Sequence, residues 1–408
     1  MKIVLVHKFY FEHRGAERYL FDLEKILREQ GHEVIPFALQ HPHNKQTPYS
    51  SYFLPWVNVA HPKGFREYIR MIGRVIYSFE AKKYFENLIK DVQPDIVHIQ
   101  NIYHHISPSI LDVCRSYSIP VVQTIHDYKL ICPNYKLFCH GAVEDICRGG
   151  AYWKEVFFRC VKGSFWKSLL ACIEMTIHTI FCLYDRGVDM YIAPSVFVSK
   201  KLIEYGVPKN KLIVLPHSID ATKYTPSFEV GTYLIYVGSL SEEKGVKTLI
   251  QAMKGISLPL KIVGEGPELS SLISYAKQCG VQEKVECMGV MRGDFLHTAI
   301  RGAAAVIVPS LWHEVFGYVV LEGWALGKIV IASDRGALPE LIERISKKLL
   351  FHAGDSKDLA RIINTTLSDK EFSIKVAREG RLLVEKEYTP EKYYESLFQI
   401  YSRIVMLR

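Results

Sequence analysis

The chain has 408 residues, 49% of them apolar and 23% charged, with a formal charge of +8 at pH 7. That length exceeds what one ordinary core serves, so about two domains are expected, and the composition excludes extended disorder. The basic excess is mild and spread out, with no lysine-rich tail, zinc finger, aromatic RNA-binding signature or basic zipper; it fits an anionic ligand or membrane surface and places nucleic acid last.

The first element is a strand, Lys2–Val6. Only Ile3 to Val6 are continuously apolar before His7 and Lys8, too few for the h-region of a secretory signal. Ala16–Gln30 follows as a helix with apolar spacing at Leu20, Leu23 and Leu27, and Gly31 ends it before the strand His32–Ala38. Ile96–Ile99 after Pro94-Asp95, Val121–Ile125 after Pro120, Met190–Ala193 and Leu212–Leu215 are further short strands. Ser168–Tyr184 is the most apolar later stretch, but Glu174 and His178 inside it favour a buried or amphipathic helix over a membrane span. A cytoplasmic location is therefore expected, with the nine cysteines mostly reduced.

A polar stretch with Pro226 interrupts the pattern near residues 216–230. Strands at Tyr233–Val237, Leu260–Val263, Val285–Met288, Ala305–Val308 and Ile329–Ala332 then alternate with helices at Gly245–Met253 and Glu268–Gln278, and Glu391–Met406 is a closing helix. Strand–helix alternation implies parallel sheets covered on both faces. The expected organisation is two Rossmann-like, doubly wound α/β domains, 1–215 and 216–385, with 386–408 packing back on the first. Ligands of such sheets lie beyond the strands' carboxyl ends, so the cleft between the domains is the natural site.

After Ala305–Val308 runs Pro309-Ser310-Leu311-Trp312-His313-Glu314-Val315-Phe316-Gly317-Tyr318-Val319-Val320-Leu321-Glu322. A helix is expected from near Gly317 to Leu326, stopped by Gly327, with no Ser, Thr, Asp or Asn to cap its start. Its first N–H groups are open to an outside acceptor such as a phosphate, and Gly317 lets that group approach. Glu314 and Glu322 can each accept hydrogen bonds from vicinal sugar hydroxyls. Either glutamate alone reads more readily as a solvated or helix-start residue.

Their combination resembles the signature of retaining glycosyltransferase family 4. Gly238-Ser239-Leu240-Ser241-Glu242-Glu243-Lys244-Gly245 is similar to that family's Gly-Arg-Leu-x-x-Glu-Lys-Gly run, and Val263-Gly264-Glu265-Gly266-Pro267 and Gly336-Ala337-Leu338-Pro339-Glu340 match further runs. The resemblance spans nearly the whole chain. It implies a GT-B fold with the nucleotide sugar on the C-terminal domain: Glu322 on the ribose, Glu314 on the transferred sugar, Phe316, Gly317 and Tyr318 around sugar and phosphate, Val290 and Met291 near the base, and Lys244 neutralising the departing diphosphate. Ser239 stands where the family has arginine, which removes half of the usual phosphate clamp; either Arg292, Arg14 or another basic residue compensates, or donor binding is weaker.

On the N-terminal side, Arg14-Gly15-Ala16-Glu17 stands where the family often has Gly-Gly-x-Glu, and Gly15 is expected to allow a tight turn and close approach of a ligand. His126-Asp127 resembles the family's His-Asp pair at the cleft wall. His126 is implied to hydrogen-bond the transferred sugar, and Asp127 to orient that ring or cap the next turn. The catalytic set expected is thus His126, Lys244 and Glu314. Transfer with retention needs no cofactor and no metal beyond a UDP- or GDP-sugar co-substrate.

Two segments stand apart. Cys132, Cys139, Cys147 and Cys160 are either a four-thiol zinc site or buried and free thiols, and their irregular spacing favours thiols. Lys63, Arg66, Arg70 and Arg74 form a basic stripe opposite Phe65, Tyr68, Ile72, Val75, Ile76 and Phe79, which reads as a helix packed on its own sheet or as a peripheral contact with anionic lipid. The expected function is transfer of a hexose-type sugar to a glycan or lipid-linked acceptor in cell-surface polysaccharide or glycolipid synthesis. The alternatives are a silent GT-B subunit and a nicotinamide oxidoreductase, the latter opposed by the lack of Gly-x-Gly-x-x-Gly after the first strand.

Overall fold

Short β-branched runs flanked by turn residues become the strands of two parallel sheets. The computed structural model describes residues 1–12, 15–57 and 64–407. In chain order the first half contributes β1 (Lys2–Val6), β2 (Glu33–Phe37), β3 (Ile96–Ile99), β4 (Val121–Thr124), a small antiparallel hairpin of β5 (Phe138–Cys139) and β6 (Ala142–Val143), then β7 (Met190–Ala193) and β8 (Leu212–Val214). The second half contributes β9 (Tyr233–Val237), β10 (Leu260–Val263), β11 (Val285–Gly289), β12 (Ala303–Val308), β13 (Ile329–Ser333) and β14 (Leu350–Phe351). The sheet orders are β2-β1-β3-β4-β7-β8 and β11-β10-β9-β12-β13-β14. All pairs within these two sheets are parallel, as buried apolar strands joined through helices require.

The second order, counted within its own half, is the 3-2-1-4-5-6 arrangement of dinucleotide-binding sheets. The strand order reverses between β9 and β12, and between β1 and β3 in the first sheet. A crevice opens at each reversal because the connections leave toward opposite faces. Every strand expected from the sequence is present, with ends that move by one or two residues; β14 and the β5–β6 hairpin were not anticipated.

Helices cover both sheets. Gly15–Glu29 lays Leu20, Leu23 and Leu27 on the first sheet, and Gly31 at φ 79° turns the chain into β2. Several helices that the apolar pattern left unmarked start at a side-chain cap: Ser78 accepts from the Ala81 N–H, Ser195 from that of Val198, and Asp355 from those of Lys357 and Asp358. The last helix, Pro390–Met406, returns to the first half, where Tyr393, Leu397, Tyr401 and Ile404 share a buried cluster with Ile3, Leu5 and Leu20. His98 Nδ1 bonds the Tyr401 hydroxyl at 2.5 Å, and Tyr19 bonds that of Tyr393.

The basic stripe is split by the fold. Lys63 lies outside the described residues, as does the side chain of Phe65. Helix Gly64–Ile76 leaves Arg66 and Arg70 exposed, but Arg74 is buried and donates to Glu80 Oε2 at 2.7 Å, Pro55 O at 3.0 Å and His105 O at 3.1 Å. Arg74 is thus a structural strut and no part of a basic surface. The expected apolar face also divides: Val75 is buried, whereas Tyr68 and Ile72 face solvent, and Phe79 belongs to the next helix, Phe79–Val92. The stretch around Glu174 is an amphipathic helix, Phe165–Ile180, which buries Glu174, Met175 and His178 on one face and exposes Trp166, Ile173 and Ile180 on the other, and among the described residues no helix is long and apolar enough to cross a membrane.

Candidate active site

The switch point of the second sheet carries both halves of the donor constellation. β9 ends at Val237 and leads through Gly238 and Ser239 to the tight turn Glu242–Lys244; β12 ends at Val308 and leads to Ser310 and Glu314. The two loops are zipped together, because the Leu311 N–H donates to Glu243 O at 2.8 Å. Gly245 closes the turn at φ 69°, and a Cβ there would run into the Pro309 carbonyl oxygen. Close packing of the loops brings Lys244 Nζ to 2.7 Å from Glu314 Oε1 and 4.8 Å from the centroid of the Trp312 ring. Ser310 Oγ donates to the same carboxylate oxygen at 2.5 Å. Burial alone would raise the Glu314 pKa; the Lys244 charge and hydrogen bond, with help from Ser310 and Trp312, overcome it and hold the group below its ordinary value.

The helix Tyr318–Ala325 begins at Gly317, which is left-handed at φ 105° and makes no side-chain cap. The Val320 N–H donates to Gly317 O at 2.9 Å, and the N–H groups of Tyr318 and Val319 before it have no side-chain cap, as the sequence implied. At the other end Arg381 Nη1 donates to the carbonyls of Ala325 and of Tyr224, the latter at 2.9 Å. This fixes a cation on the negative end of the same helix. Phe316 is buried and Tyr318 stacks on His217 with ring centroids 5.1 Å apart. Glu322 lies one turn in and is held by Arg18, which also donates to the Tyr224 hydroxyl. The Glu322 charge keeps the Arg18 guanidinium firmly protonated against the desolvation that opposes it.

On the facing sheet, His126 follows β4 and its Nε2 lies 2.6 Å from Gln100 Oε1, so Nε2 carries the proton and Nδ1 is the ring's acceptor. The ring stacks on His217 at 5.7 Å and meets Tyr19 edge-on at 4.9 Å. Burial, then the neighbouring His217 and His7, push its pKa well below 6.5, which makes it a neutral imidazole. Asp127 does not orient this ring. It accepts from the Lys129 N–H at 2.9 Å and from the Tyr103 hydroxyl, and so caps the next turn. His7 at the end of β1 accepts from the Asn101 N–H at 3.3 Å and donates from Nε2 to Glu17 at 2.9 Å. Despite its burial, Glu17 is held down to about 2 by that bond and charge, and the pair locks the first helix to β1.

The loops therefore bring Lys244, Glu314 and Ser310 together, and His126, His217 and Tyr318 together. Gly15 starts its helix without a positive φ, and a Cβ there would meet nothing, so the tight-turn reason for glycine does not hold. Arg14 lies outside the described residues. Arg292 is exposed at the start of helix Gly293–Arg301, Val290 is 49% exposed and Met291 only partly buried after β11, and Ser239 Oγ sits 3.4 Å from Ser241 Oγ. Arg18, His217, Gln100 and Ser310 were missed. Arg18 and Glu322 are 304 residues apart, and no local pattern marks such a pair.

The two halves touch at the cleft. Ser195 Oγ donates to Val315 O at 2.9 Å, the Val196 N–H to Glu340 Oε2 at 2.9 Å, Tyr128 to His313 O at 3.1 Å, and Lys136 pairs with Glu243 at 2.7 Å. The hollow beside His126 holds about 20 Å³, far below the roughly 300 Å³ or more of a small-molecule site. A wider hollow of about 650 Å³, between Gln40 and Phe53, contains none of these residues.

The four cysteines do not form one cluster. Cys139 and Cys160 make a disulfide, which overturns the four-thiol zinc site, while the other seven cysteines are free.

Two facing doubly wound sheets, with a lysine–glutamate pair at the switch point of the second and His126 and His217 beyond strand ends of the first, are the architecture of a GT-B glycosyltransferase. Sucrose-phosphate synthase from Thermosynechococcus elongatus has the same fold, with a TM-score of 0.73 and 17% identity over 100% of both chains. The Anabaena HepE structure with UDP-glucose gives 0.69 and 17% over 99% of this chain and 100% of that one. An uncharacterised 42.6 kDa protein in the cps region of Klebsiella pneumoniae is 26% identical over 420 residues, 96% of this chain and 98% of the relative. The sequence model for Glycosyltransferase Family 4 matches residues 13–223, and that for Glycosyl transferases group 1 matches 222–382. The chain belongs to the family 4, group 1 glycosyltransferases.

Proposed function

We propose that the chain is a retaining hexosyltransferase that takes its sugar from a UDP- or GDP-sugar and delivers it to a glycan or lipid-linked acceptor in cell-surface polysaccharide or glycolipid synthesis. The observation that carries this reading is the uncapped start of helix Tyr318–Ala325, with the Lys244–Glu314 pair beside it and Glu322 one turn in. The cps-region relative supports the polysaccharide setting, and the UDP-glucose complex of the Anabaena protein supports the donor class.

In this reading the diphosphate lies against the helix start, Glu322 accepts from the ribose hydroxyls and Glu314 from the sugar. The bond from the anomeric carbon to the phosphate oxygen breaks as the acceptor oxygen attacks the same face. The acceptor's proton passes to the departing phosphate oxygen. Lys244 and the helix dipole meet the charge that grows there, and neutral His126 offers Nδ1 to a sugar hydroxyl. Ligand-induced stabilisation tests the donor. Among UDP-, GDP-, ADP- and dTDP-sugars, those of one nucleotide are expected to raise the melting temperature saturably. Absence of a shift with all four would remove the donor assignment.

A peripheral membrane setting rests on a surface that adjoins helix Gly64–Ile76. Trp153, Phe157, Phe158, Phe165 and Trp166 are all more than 40% exposed, interleaved with exposed Arg159, Lys162 and Lys167. Aromatic side chains among cations are the composition that seats at an anionic bilayer interface, where each nearby Lys or Arg contributes about 1 kcal/mol. Sedimentation with phosphatidylglycerol vesicles is expected to deplete the protein from solution, and zwitterionic vesicles to leave it. The double variant Lys162→Glu, Lys167→Glu should cut binding at least tenfold. Binding that ignores lipid charge, or none at all, rejects this setting.

A further inference from the structure

The loop between β4 and helix Phe165–Ile180 has little regular structure, yet it buries two thiols and a carboxylate at one point. Cys132 and Cys147 are each 1% exposed and Glu155 is 0% exposed. The sulfurs are 3.9 Å apart, and each lies 3.0 Å from Glu155 Oε1. Asn134 Oδ1, buried as well, is 3.1 Å from Cys132 Sγ and accepts from the Lys136 N–H at 2.8 Å, which leaves one lone pair toward the sulfur. The other carboxylate oxygen, Oε2, is buried without a hydrogen-bond partner. The nearby ammonium of Lys129 bonds Glu174 at 2.7 Å and forms no ion pair with Glu155.

A carboxylate taken out of water beside two soft thiols, with an oxygen left unsatisfied, is costly unless a proton or a cation joins it; burial raises the Glu155 pKa, and the two thiols beside it add soft donors for a metal. Two sulfurs bound at about 2.3 Å to one tetrahedral ion stand roughly 3.8 Å apart, close to the separation here. The sulfur–oxygen distances would lengthen by about 0.5 Å on metal entry, a shift that side-chain rotation supplies. Thiolate and carboxylate donors in this number select zinc over the hard cations calcium and magnesium.

We infer that Cys132, Cys147 and Glu155, with Asn134 Oδ1 as the fourth donor, form a structural zinc site. Binding releases two protons, one from each thiol, and leaves two thiolates and one carboxylate on the ion. Cys139 and Cys160 take no part, since their sulfurs are joined to each other. The site's place in the fold gives it a use. The same loop carries Lys136, whose Nζ pairs with Glu243 at 2.7 Å, next to Lys244 in the other half. Zinc would stiffen an arm that reaches across the cleft to the donor turn. The inference is independent of the donor reading.

The test is the metal content of the full chain purified without chelator and desalted. About one zinc per chain is expected, lost in the double variant Cys132→Ser, Cys147→Ser and retained in Cys114→Ser. Cobalt(II) put into the wild-type site should show the intense visible bands of tetrahedral coordination together with a sulfur-to-metal charge-transfer band. Should the double variant fail to fold, Glu155→Gln supplies the second reading, with zinc affinity reduced at least tenfold. The site is refuted by less than 0.1 zinc per folded chain, both as isolated and after incubation with equimolar zinc and desalting. A cobalt spectrum without the charge-transfer band refutes it equally.

Discussion

Replacing Lys244 by alanine is expected to lower kcat/KM by about 10²- to 10³-fold, nearly all of it in kcat. In the proposed mechanism the ammonium meets charge that appears on the diphosphate only as the sugar leaves, so its loss raises the barrier more than it weakens donor binding. A second signature belongs to this variant alone. Lys244 supplies the largest of the effects that hold the Glu314 pKa below its ordinary value against burial. A carboxyl whose folded pKa is depressed adds stability above its unfolded pKa and loses it as pH falls through the folded one. The gap in melting temperature between wild type and variant should therefore be widest near neutral pH, narrow as pH falls through the acid range and close once Glu314 is protonated in the folded wild type as well. Steady-state kinetics and melting curves at several pH values check both parts. A loss under fivefold in kcat/KM would remove Lys244 from the chemistry.

Glu322→Ala should weaken nucleotide-sugar binding about 10- to 100-fold with kcat little changed, because hydrogen bonds to a charged acceptor are worth about 1.5–3 kcal/mol and a ribose contact is the same in ground and transition states. Arg18→Ala should act in the opposite direction. Arg18 pairs with Glu322; in the proposed donor placement the ribose must displace it, and apparent affinity is lowered by the fraction of molecules in which the carboxylate is taken. Removing the guanidinium should tighten binding a few-fold and make the Glu322→Ala loss larger. Titration calorimetry on the two single variants and the double variant closes the cycle. Weaker binding by Arg18→Ala would mean that Arg18 contacts the donor directly.

These residues show what could be seen in one dimension. The helix start at Gly317, its missing cap and its stop at Gly327 were legible because they depend on a few neighbouring residues. So was the grouping of Lys244 with Glu314, through two short runs that each follow a strand. The strands themselves could be read from β-branched runs after turn residues. What stayed hidden depends on distance along the chain. Arg18 reaches Glu322 only once both sheets have formed, and His217 stacks on His126 only because the linker passes between them. Arg74 misled for a related reason: spacing put it on a basic face, but three carbonyl and carboxylate partners from elsewhere draw it inward. The cysteine spacing was equally mute, since which sulfurs meet is decided by the folded loop.

The return of helix Pro390–Met406 to the first half has a consequence for the order of assembly. Tyr393, Leu397 and Tyr401 fill a slot against Ile3, Leu5 and Leu20 that nothing earlier in the chain closes. Domains emerging from a ribosome usually fold one after another, the first while the second is still being made. Here the second sheet, β9 to β14, has all its strands before residue 352 and can close on its own schedule. The first sheet, although synthesised first, keeps an apolar slot open until helix Pro390–Met406 has been made. The half that is born first is thus the last to be completed, and it carries exposed apolar surface for most of the time that translation takes.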